Sequence, residues 1–127
     1  MNIEELREYC LSVKGAEESF PFDEDVLVFK IMNKMFAFAD IAPKDGCFAV
    51  ALKCDPDRSV LLRERYAGIG KSHYGGKTLL WNGVELESDV PDELIRELIG
   101  HSVEEVLKKL PKKKREEYHC LNCDSGD

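Results

Sequence analysis

The sequence predicts an α+β domain of two layers, in which helices pack on one face of an antiparallel sheet. Apolar residues recur at helical spacing near both ends of the chain, and at a spacing of two between residues 26 and 41. Tight-turn sequences separate the strand-like runs, as expected for hairpins. Together these patterns give the element order α-β3-α-β2-α(α), which is typical of a two-layer α+β fold.

The first helix is predicted over residues 3–13, where apolar side chains share one face. Asn2 and Glu5 form a capping pair at its start, because each can bond the backbone of the other. Gly15 stands where the glycine of a C-cap is expected. The first element is therefore a short amphipathic helix with a signal at each end.

Three strands are predicted after this helix, over residues 26–31, 35–41 and 47–53. Met32 to Lys34 turn the chain between the first two, and Asp45-Gly46 is a turn dipeptide before the third. Alternate side chains point to opposite faces of a strand, so these three segments can supply one side of a core.

The second half of the chain begins with a helix that has Asp55 as its N-cap and Pro56 at its first position. A strand over about 78–86 follows, with a shorter partner near 73–74. Paired helices then complete the domain. Pro91 begins the first of them.

The second of the paired helices is predicted from Ser102 and Glu105, which have the spacing of a capping pair. Its apolar face continues to Pro111, which cannot extend a helix. We assign residues 1–117 to a single domain and residues 118–127 to a flexible C-terminal tail.

At 127 residues, the chain is long enough to bury a core without metal or disulfide staples. No apolar run is long enough to span a bilayer, and the acidic first ten residues do not resemble a signal peptide. The five cysteines are an odd number, as expected for reduced thiols. We therefore expect a cytoplasmic monomer that has no membrane partner.

The charge distribution is more informative than the net charge of −7. Residues 58–83 carry five basic side chains and one acidic side chain, for a net charge of +4. Residues 108–115 carry six basic side chains and no acidic ones. Two basic segments thus lie in an otherwise acidic chain, and they are the candidates for contacts with an anionic partner.

The stretch from Gly68 to Val84 contains the letters GKS and GKT, which close phosphate-binding loops. A P-loop also needs a glycine five residues before the GK glycine, and those positions hold Arg65 and Lys71. Their side chains would block the curl of backbone N–H groups around the phosphates. The segment is therefore not predicted to bind a nucleotide.

Both basic segments contain candidates for contacts with nucleic-acid phosphates. The alternative for the first segment is a solvated helix face followed by a glycine turn, with the tryptophan packed on the sheet. The alternative for the second is that cations near a helix C-terminus stabilise the helix dipole. The predicted nucleic-acid-binding residues are Arg58, Arg63, Arg65, Lys71, Lys77, Trp81, Lys112 and Lys113.

No metal site and no catalytic chemistry are predicted. The sequence HCLNC, from His119 to Cys123, offers three zinc ligands, whereas a structural zinc site normally has four. Acidic residues of the first helix and of 23–25 would fit an iron-binding ridge, but a solvated face explains those of the helix equally well. Since no HExxH motif or nucleophile elbow is present, we expect a protein without cofactors that is not an enzyme.

Four stretches resemble the MmcQ/YjbR family, in the same order along the chain. The resemblance extends to about Glu117 and implies a compact frataxin-like or secretion-chaperone-like fold, α-β3-α-β2-α, in agreement with the periodicities. The stretches are LREYCLSVKGAEESFPF (6–22), VFKIMNKMFAF (28–38), WNGVEL (81–86) and DVPDELIRELIGHSVEEVLKKLPKKKRE (89–116).

Members of this family are commonly labelled DNA-binding, on the idea that two β wings contact the duplex. The resemblance therefore implies weak, backbone-directed DNA binding through the basic segments. The sequence departs from the family where a wing is expected: Leu80 replaces the usual histidine before the tryptophan, and HYGGKTLL replaces an Asn/Lys-rich approach. A protein-interaction module, which a chaperone-like fold and an acidic surface would suit, is the alternative function.

Overall fold

A computed structural model gives the fold and describes residues 1–21, 24–43, 45–71 and 79–125, with side chains to residue 120. This part of the chain contains four helices and six strands. They are α1 (Ile3–Leu11), β1 (Glu17–Ser19), β2 (Val26–Ile31), β3 (Lys34–Asp40), β4 (Ala49–Lys53), α2 (Pro56–Arg65), β5 (Ile69–Lys71), β6 (Trp81–Glu85), α3 (Asp92–Lys109) and α4 (Lys112–Ser125).

The six strands form one antiparallel sheet in the order β1-β2-β3-β4-β6-β5. The predicted α+β class and antiparallel sheet are thus confirmed. The edge strand β1 adds one short strand to the predicted order. The other edge strand is Ile69–Lys71, whereas the partner predicted near 73–74 lies outside the described residues.

The main core lies between the helices and one face of the sheet, and each helix contributes to it. A smaller cluster of Val26, Val28, Phe38 and Ala51 lies on the opposite face, as the alternation of side chains along a strand requires. Burying one large apolar side chain stabilises the fold by about 1.5–3 kcal/mol. The largest fully buried side chains of the main core are Phe29, Phe36, Leu6, Ile31, Leu52, Leu86, Ile95 and Ile99.

Two of the three helix starts predicted from local pairs are confirmed. Asn2 and Glu5 make the two hydrogen bonds of a capping box, and Asp55 accepts from a backbone N–H of α2 with proline at the first helical position. The C-cap predicted at Gly15 is wrong, because α1 ends at Leu11 with Ser12 as its C-cap. Gly15 lies three residues later, where φ is +74°.

The predicted helix start at Ser102 is also wrong, because α3 runs without a break from Asp92 to Lys109. The Ser102 side chain is fully buried and does not cap a helix. Its hydroxyl donates to the carbonyl of Phe36 and accepts from the N–H of Lys53 at 2.9 Å. A capping pair and a helix-to-sheet contact need the same residue types, so only the packing distinguishes them.

The last helix, α4, continues to Ser125 through most of the predicted tail. Tyr118 is only 5% exposed, and its hydroxyl donates to the carbonyl of Lys14 at 2.7 Å. The Lys14 ammonium lies 4.5 Å from the centre of the tyrosine ring. The packed domain therefore includes Tyr118, one residue beyond the predicted boundary, and the flexibility of the residues after it stays a prediction.

Candidate nucleic-acid interface

One end of the sheet, which we call the hairpin end, carries the β2–β3 hairpin and the β5–β6 hairpin. β2 and β3 are joined there by Met32 and Asn33, β4 ends there at Lys53, and β5 and β6 meet it at Lys71 and Trp81. The antiparallel pairing of every neighbouring pair of strands requires this arrangement. Two hairpins thus leave the same end of the sheet, with β4 between them.

The β2–β3 hairpin has a two-residue turn in which both φ angles are positive, +48° at Met32 and +63° at Asn33. Such turns match the right-handed twist of the strands and favour asparagine and glycine. A methionine there is strained, by about 1 kcal/mol, and its half-buried side chain packs against the main core. Lys34 follows directly and is exposed. The turn therefore places this exposed lysine at the hairpin end.

The sheet divides between β3 and β4 at the hairpin end. The β3–β4 pairing stops at Ala37 and Leu52, and the next pair is bridged by the Ser102 hydroxyl instead of a direct hydrogen bond. Beyond that point β4 stays with β6, since the N–H of Cys54 donates to the carbonyl of Leu80 at 2.7 Å. The two hairpins consequently belong to different halves of the sheet.

The charges of Lys34 and Lys109 act on Lys53, which ends β4 at this division. Helix α3 contacts β3 and β4, reaches the end of β4 at Ser102, and continues for seven residues, or about 10 Å, to Lys109. Lys34 begins β3, two residues before Phe36. Burial lowers the pKa of Lys53, and the charges of Lys109 and Lys34 lower it further, while Glu105 opposes them.

Lys112 and Lys113, which the sequence predicted, are exposed in the first turn of α4. They follow Lys109 by three and four residues, so they extend the same positive region. Lys34 and Lys53 were not predicted, whereas Lys109 belongs to the second basic segment. The first two are isolated lysines in the acidic first half of the chain, and their positions beside a turn and at a strand end were the available signal.

The arginines of α2 make contacts within the protein. Arg58 forms a salt bridge with Glu97 at 3.2 Å, and Arg65 lies over the ring of Tyr66 with 5.6 Å between guanidinium carbon and ring centre. The Nε of Arg65 also donates to the hydroxyl of Tyr66 at 3.3 Å. These two predicted phosphate ligands therefore contact other residues of the protein.

Arg63 is held by a network between α2 and β6. Its Nε donates to Oδ1 of Asn82 at 2.8 Å, and its Nη2 donates to the carbonyl of Trp81 at 3.1 Å. The amide of Asn82 donates to Ser59 at 3.0 Å, and Ser59 donates to the carbonyl of Leu79. Asn82 and Ser59 are buried, so this network satisfies polar groups that would otherwise destabilise the fold.

The remaining predicted residues of the first basic segment are Lys71, Lys77 and Trp81, and their surroundings differ. Lys71 is exposed at the end of the edge strand β5, whereas Lys77 lies outside the described residues. Trp81 is half-buried on the face without helices, with its ring 5.3 Å from the ring of Phe38. Its packing matches the structural alternative for this residue.

The glycine segment presents its first amides to a carboxylate of the protein. Asp89 accepts from the N–H of Ala67 and from the N–H of Gly68, both at 2.8 Å. The Gly68 bond, followed by the Ala67 bond, lowers the pKa of Asp89. A Cβ on Gly68 would come within 2.1 Å of the Ser88 hydroxyl, so glycine allows this close approach.

Four cysteines are free thiols, as expected: Cys10 and Cys54 are buried, and Cys47 and Cys120 are exposed. Burial raises the pKa of Cys10 to about 12. The side chain of Cys123 lies outside the described residues. Among described side chains, no three histidine, cysteine or acidic residues are grouped as metal ligands would be.

No helix in the described ranges has the length and apolar composition that a bilayer crossing requires.

Residues 11–104 match the model of the YjbR family. The chain belongs to the YjbR family. A YjbR-family relative from Escherichia coli K12, described as the uncharacterized protein YjbR, is 31% identical over 115 residues, which cover 91% of this chain and 95% of the relative.

Two solved structures share the fold. A crystal structure of the Deinococcus radiodurans protein DR2400, with a DUF419 domain, aligns with a TM-score of 0.82 and 34% identity, covering 93% of this chain and 88% of that one. A Pseudomonas syringae protein aligns with a TM-score of 0.68 and 23% identity, covering 80% and 96%. The YjbR fold seen here is thus shared across these relatives.

Proposed function

We propose that this YjbR-family protein binds duplex DNA weakly and without sequence preference, through the phosphates that meet its hairpin end. The observation that carries the proposal is that both hairpins leave the same end of the sheet, with lysines at each. Lys34 belongs to the β2–β3 side of the division, and Lys53 and Lys71 belong to the β4–β6–β5 side.

The spacing of the hairpins suits a groove of the duplex. Three strand spacings separate the centre of the β2–β3 hairpin from the centre of the β5–β6 hairpin, which amounts to about 14 Å. The major groove of B-DNA is about 12 Å wide. Lysines on the two hairpins can therefore approach phosphates on opposite sides of one groove.

The mode of binding follows from the residue types. Lysine ammonium groups are point charges, and they neutralise phosphates without reading base edges. The described arginines of α2, which could form paired hydrogen bonds to a base, contact Glu97, Asn82 and Tyr66 instead. The net charge of −7 opposes association, so affinity should be weak and decrease steeply with salt.

A salt titration of duplex binding tests the proposal. Each phosphate contact contributes about 0.9 to the slope of log affinity against log salt, so Lys34→Gln with Lys71→Gln should lower the slope by about 1.8. Fluorescence anisotropy with a labelled duplex measures it. Lys14→Gln is the control, because that ammonium lies over the Tyr118 ring and should leave the slope unchanged. A wild type that binds no duplex in dilute buffer would contradict the proposal.

A second candidate function is protein–protein interaction, and one surface favours it. Val60 and Leu61 on α2 are 40% and 65% exposed, and Leu79 and Leu80 before β6 are 37% and 38% exposed. Exposed apolar groups of this kind can mark a docking surface. Failure of the duplex titration would favour this function over the first.

A further inference from the structure

The solvent-facing side of helix α2 carries an ordered pattern of charges around one leucine. The helix packs on the domain through the buried residues Ser59 and Leu62. Successive residues are about 100° apart around a helix, so residues three or four apart share a face. Leu61, which is 65% exposed, therefore lies between two charged edges. The acidic edge consists of Asp57 and Glu64, and the basic edge consists of Arg58 and Arg65.

The two edges have opposite charges at matching heights along the helix. Asp57 and Arg58 are consecutive residues, so they are about 1.5 Å apart along the helix axis. Glu64 and Arg65 are consecutive as well. A second α2 that runs in the same direction, with Leu61 against Leu61, would bring each acidic edge to a basic edge. If the second helix ran in the opposite direction, acidic edge would meet acidic edge and basic edge would meet basic edge.

We propose that this face of α2 binds a second copy of the chain, in a parallel pair of helices related by a two-fold axis. The interface is self-complementary, as a two-fold axis requires. Because α2 begins beside the hairpin end, where β4 ends, this axis turns the hairpin ends of both copies to the same side of the dimer. The inference goes beyond the proposed duplex binding and does not depend on it. The ion pairs between the copies, each formed twice, are Asp57 with Arg58 and Glu64 with Arg65.

The present contacts of the basic edge are compatible with this pairing. Arg58 and Glu97 form a salt bridge between side chains that are 32% and 63% exposed, and such exposed pairs contribute little to stability. Arg65 donates to the hydroxyl of Tyr66 through its Nε. A guanidinium group has five N–H donors, so each arginine can also bond a carboxylate of the second copy. The rest of the domain packs against the buried side of α2, away from this face.

The interface is small, so the association should be weak. One leucine from each copy and a set of exposed ion pairs bury less than the about 1,200 Å² that is typical of stable complexes. The net charge of −7 on each copy also opposes association. We expect a Kd of about 0.1 mM in about 0.15 M salt, which screens the net charge. The monomer predominates below that concentration.

Sedimentation equilibrium between about 10 µM and about 1 mM protein measures this association without any DNA. A reductant keeps the exposed thiols of Cys47 and Cys120 from forming disulfides. Leu61→Gln should raise the Kd roughly tenfold, because it removes the apolar contact at the centre of the interface. Val60→Gln is the matched control: Val60 is 40% exposed on the same helix but lies beyond the acidic edge, so the Kd should change by less than about twofold.

A pair of charge reversals tests the arrangement itself. Glu64→Lys places a cation beside Arg65 of the second copy, and Arg65→Glu places an anion beside Glu64 of the second copy. Each variant alone should associate with itself roughly tenfold more weakly than the wild type. An equal mixture of the two variants should regain the wild-type Kd, because both ion pairs at this level again join opposite charges. Circular dichroism checks that each exposed substitution leaves the fold intact.

The remaining outcomes would overturn the proposal in different ways. A wild type that is monomeric at about 1 mM would overturn the dimer, and duplex binding by that monomer would leave the proposed function standing. Stronger self-association of Glu64→Lys would overturn the parallel arrangement, because only antiparallel helices bring residue 64 beside Asp57. A mixture that associates no better than its components would show that Glu64 and Arg65 do not pair between copies.

Discussion

On the α2 side of the hairpin end, the guanidinium of Arg63 donates to Asn82 and to the carbonyl of Trp81. On the α3 side, burial and the charges of Lys109 and Lys34 lower the pKa of Lys53. Both sides carry basic residues in the sequence. The charge on the α2 side is bonded within the protein and stabilises the fold, whereas the charge on the α3 side remains available to a ligand. Proximity in the sequence to other basic residues therefore says little about whether a charge can reach a ligand.

The chemistry of the two side chains explains the difference. Guanidinium has donors in a fixed plane, so it can bond an amide oxygen and a backbone carbonyl together inside a structure. An ammonium group on a flexible chain is strongly hydrated and tends to remain near solvent. The α2 side is accordingly a region where arginine completes the packing, and the α3 side is a region where lysines meet at the surface.

The largest expected effect comes from Ser102→Ala, which removes the contact that holds the α3 side together. The substitution would leave the carbonyl of Phe36 and the N–H of Lys53 without their partner in a buried position. Each unsatisfied group costs about 1–3 kcal/mol, so we expect a loss of about 3 kcal/mol in the free energy of unfolding. Urea denaturation measures it.

Ser12→Ala is the control for this prediction, because Ser12 lies on the exposed end of α1 and should change stability by less than about 0.5 kcal/mol. If Ser102→Ala were as stable as the wild type, the bridge between α3 and the two strands would not support the sheet as described.

A smaller effect is expected from Arg63→Lys, which keeps the charge and removes the planar fork on the α2 side. One ammonium cannot reproduce both contacts to Asn82 and Trp81, so stability should fall by about 1.5 kcal/mol. Lys53→Gln, on the α3 side, should change stability by about 0.5 kcal/mol or less. Duplex affinity should respond in the opposite order, with little change for Arg63→Lys and a clear loss for Lys53→Gln.

The smallest expected effect is a pH dependence on the α2 side. The N–H groups of Gly68 and Ala67 lower the pKa of Asp89, so its carboxylate stabilises the fold above the unfolded pKa of about 3.9. That contribution is lost as the pH falls through the lower folded pKa. Asp89→Asn should therefore be less stable than the wild type at neutral pH, and the difference should shrink near pH 3. A constant difference at both pH values would contradict this origin.

The sequence predicted the elements whose determinants are local. Asn2 with Glu5, and Asp55 with Pro56, begin helices because the partner of each group lies within one turn. Ser102 has the same local pattern, but its partners are 66 and 49 residues away along the chain. No local pattern distinguishes a hydroxyl that caps a helix from one that joins a helix to a sheet.

The candidate site was harder to predict for the same reason. Lys112 and Lys113 were found because they belong to a run of basic residues, whereas Lys34 and Lys53 stand alone in an acidic part of the chain. Arg63 was predicted to contact phosphate because its sequence neighbours are basic. Its actual partner, Asn82, lies on a strand that follows 19 residues later.

The Ser102 bridge also bears on how proteins of this shape could diverge. Because one hydroxyl stands where β3 and β4 would otherwise pair, the side chain at this position sets how far the two halves of the sheet open. A longer side chain there would hold β3 and β4 farther apart. During evolution, a single substitution in the interior could thus change the distance between the two hairpins, while every lysine on the surface stayed the same.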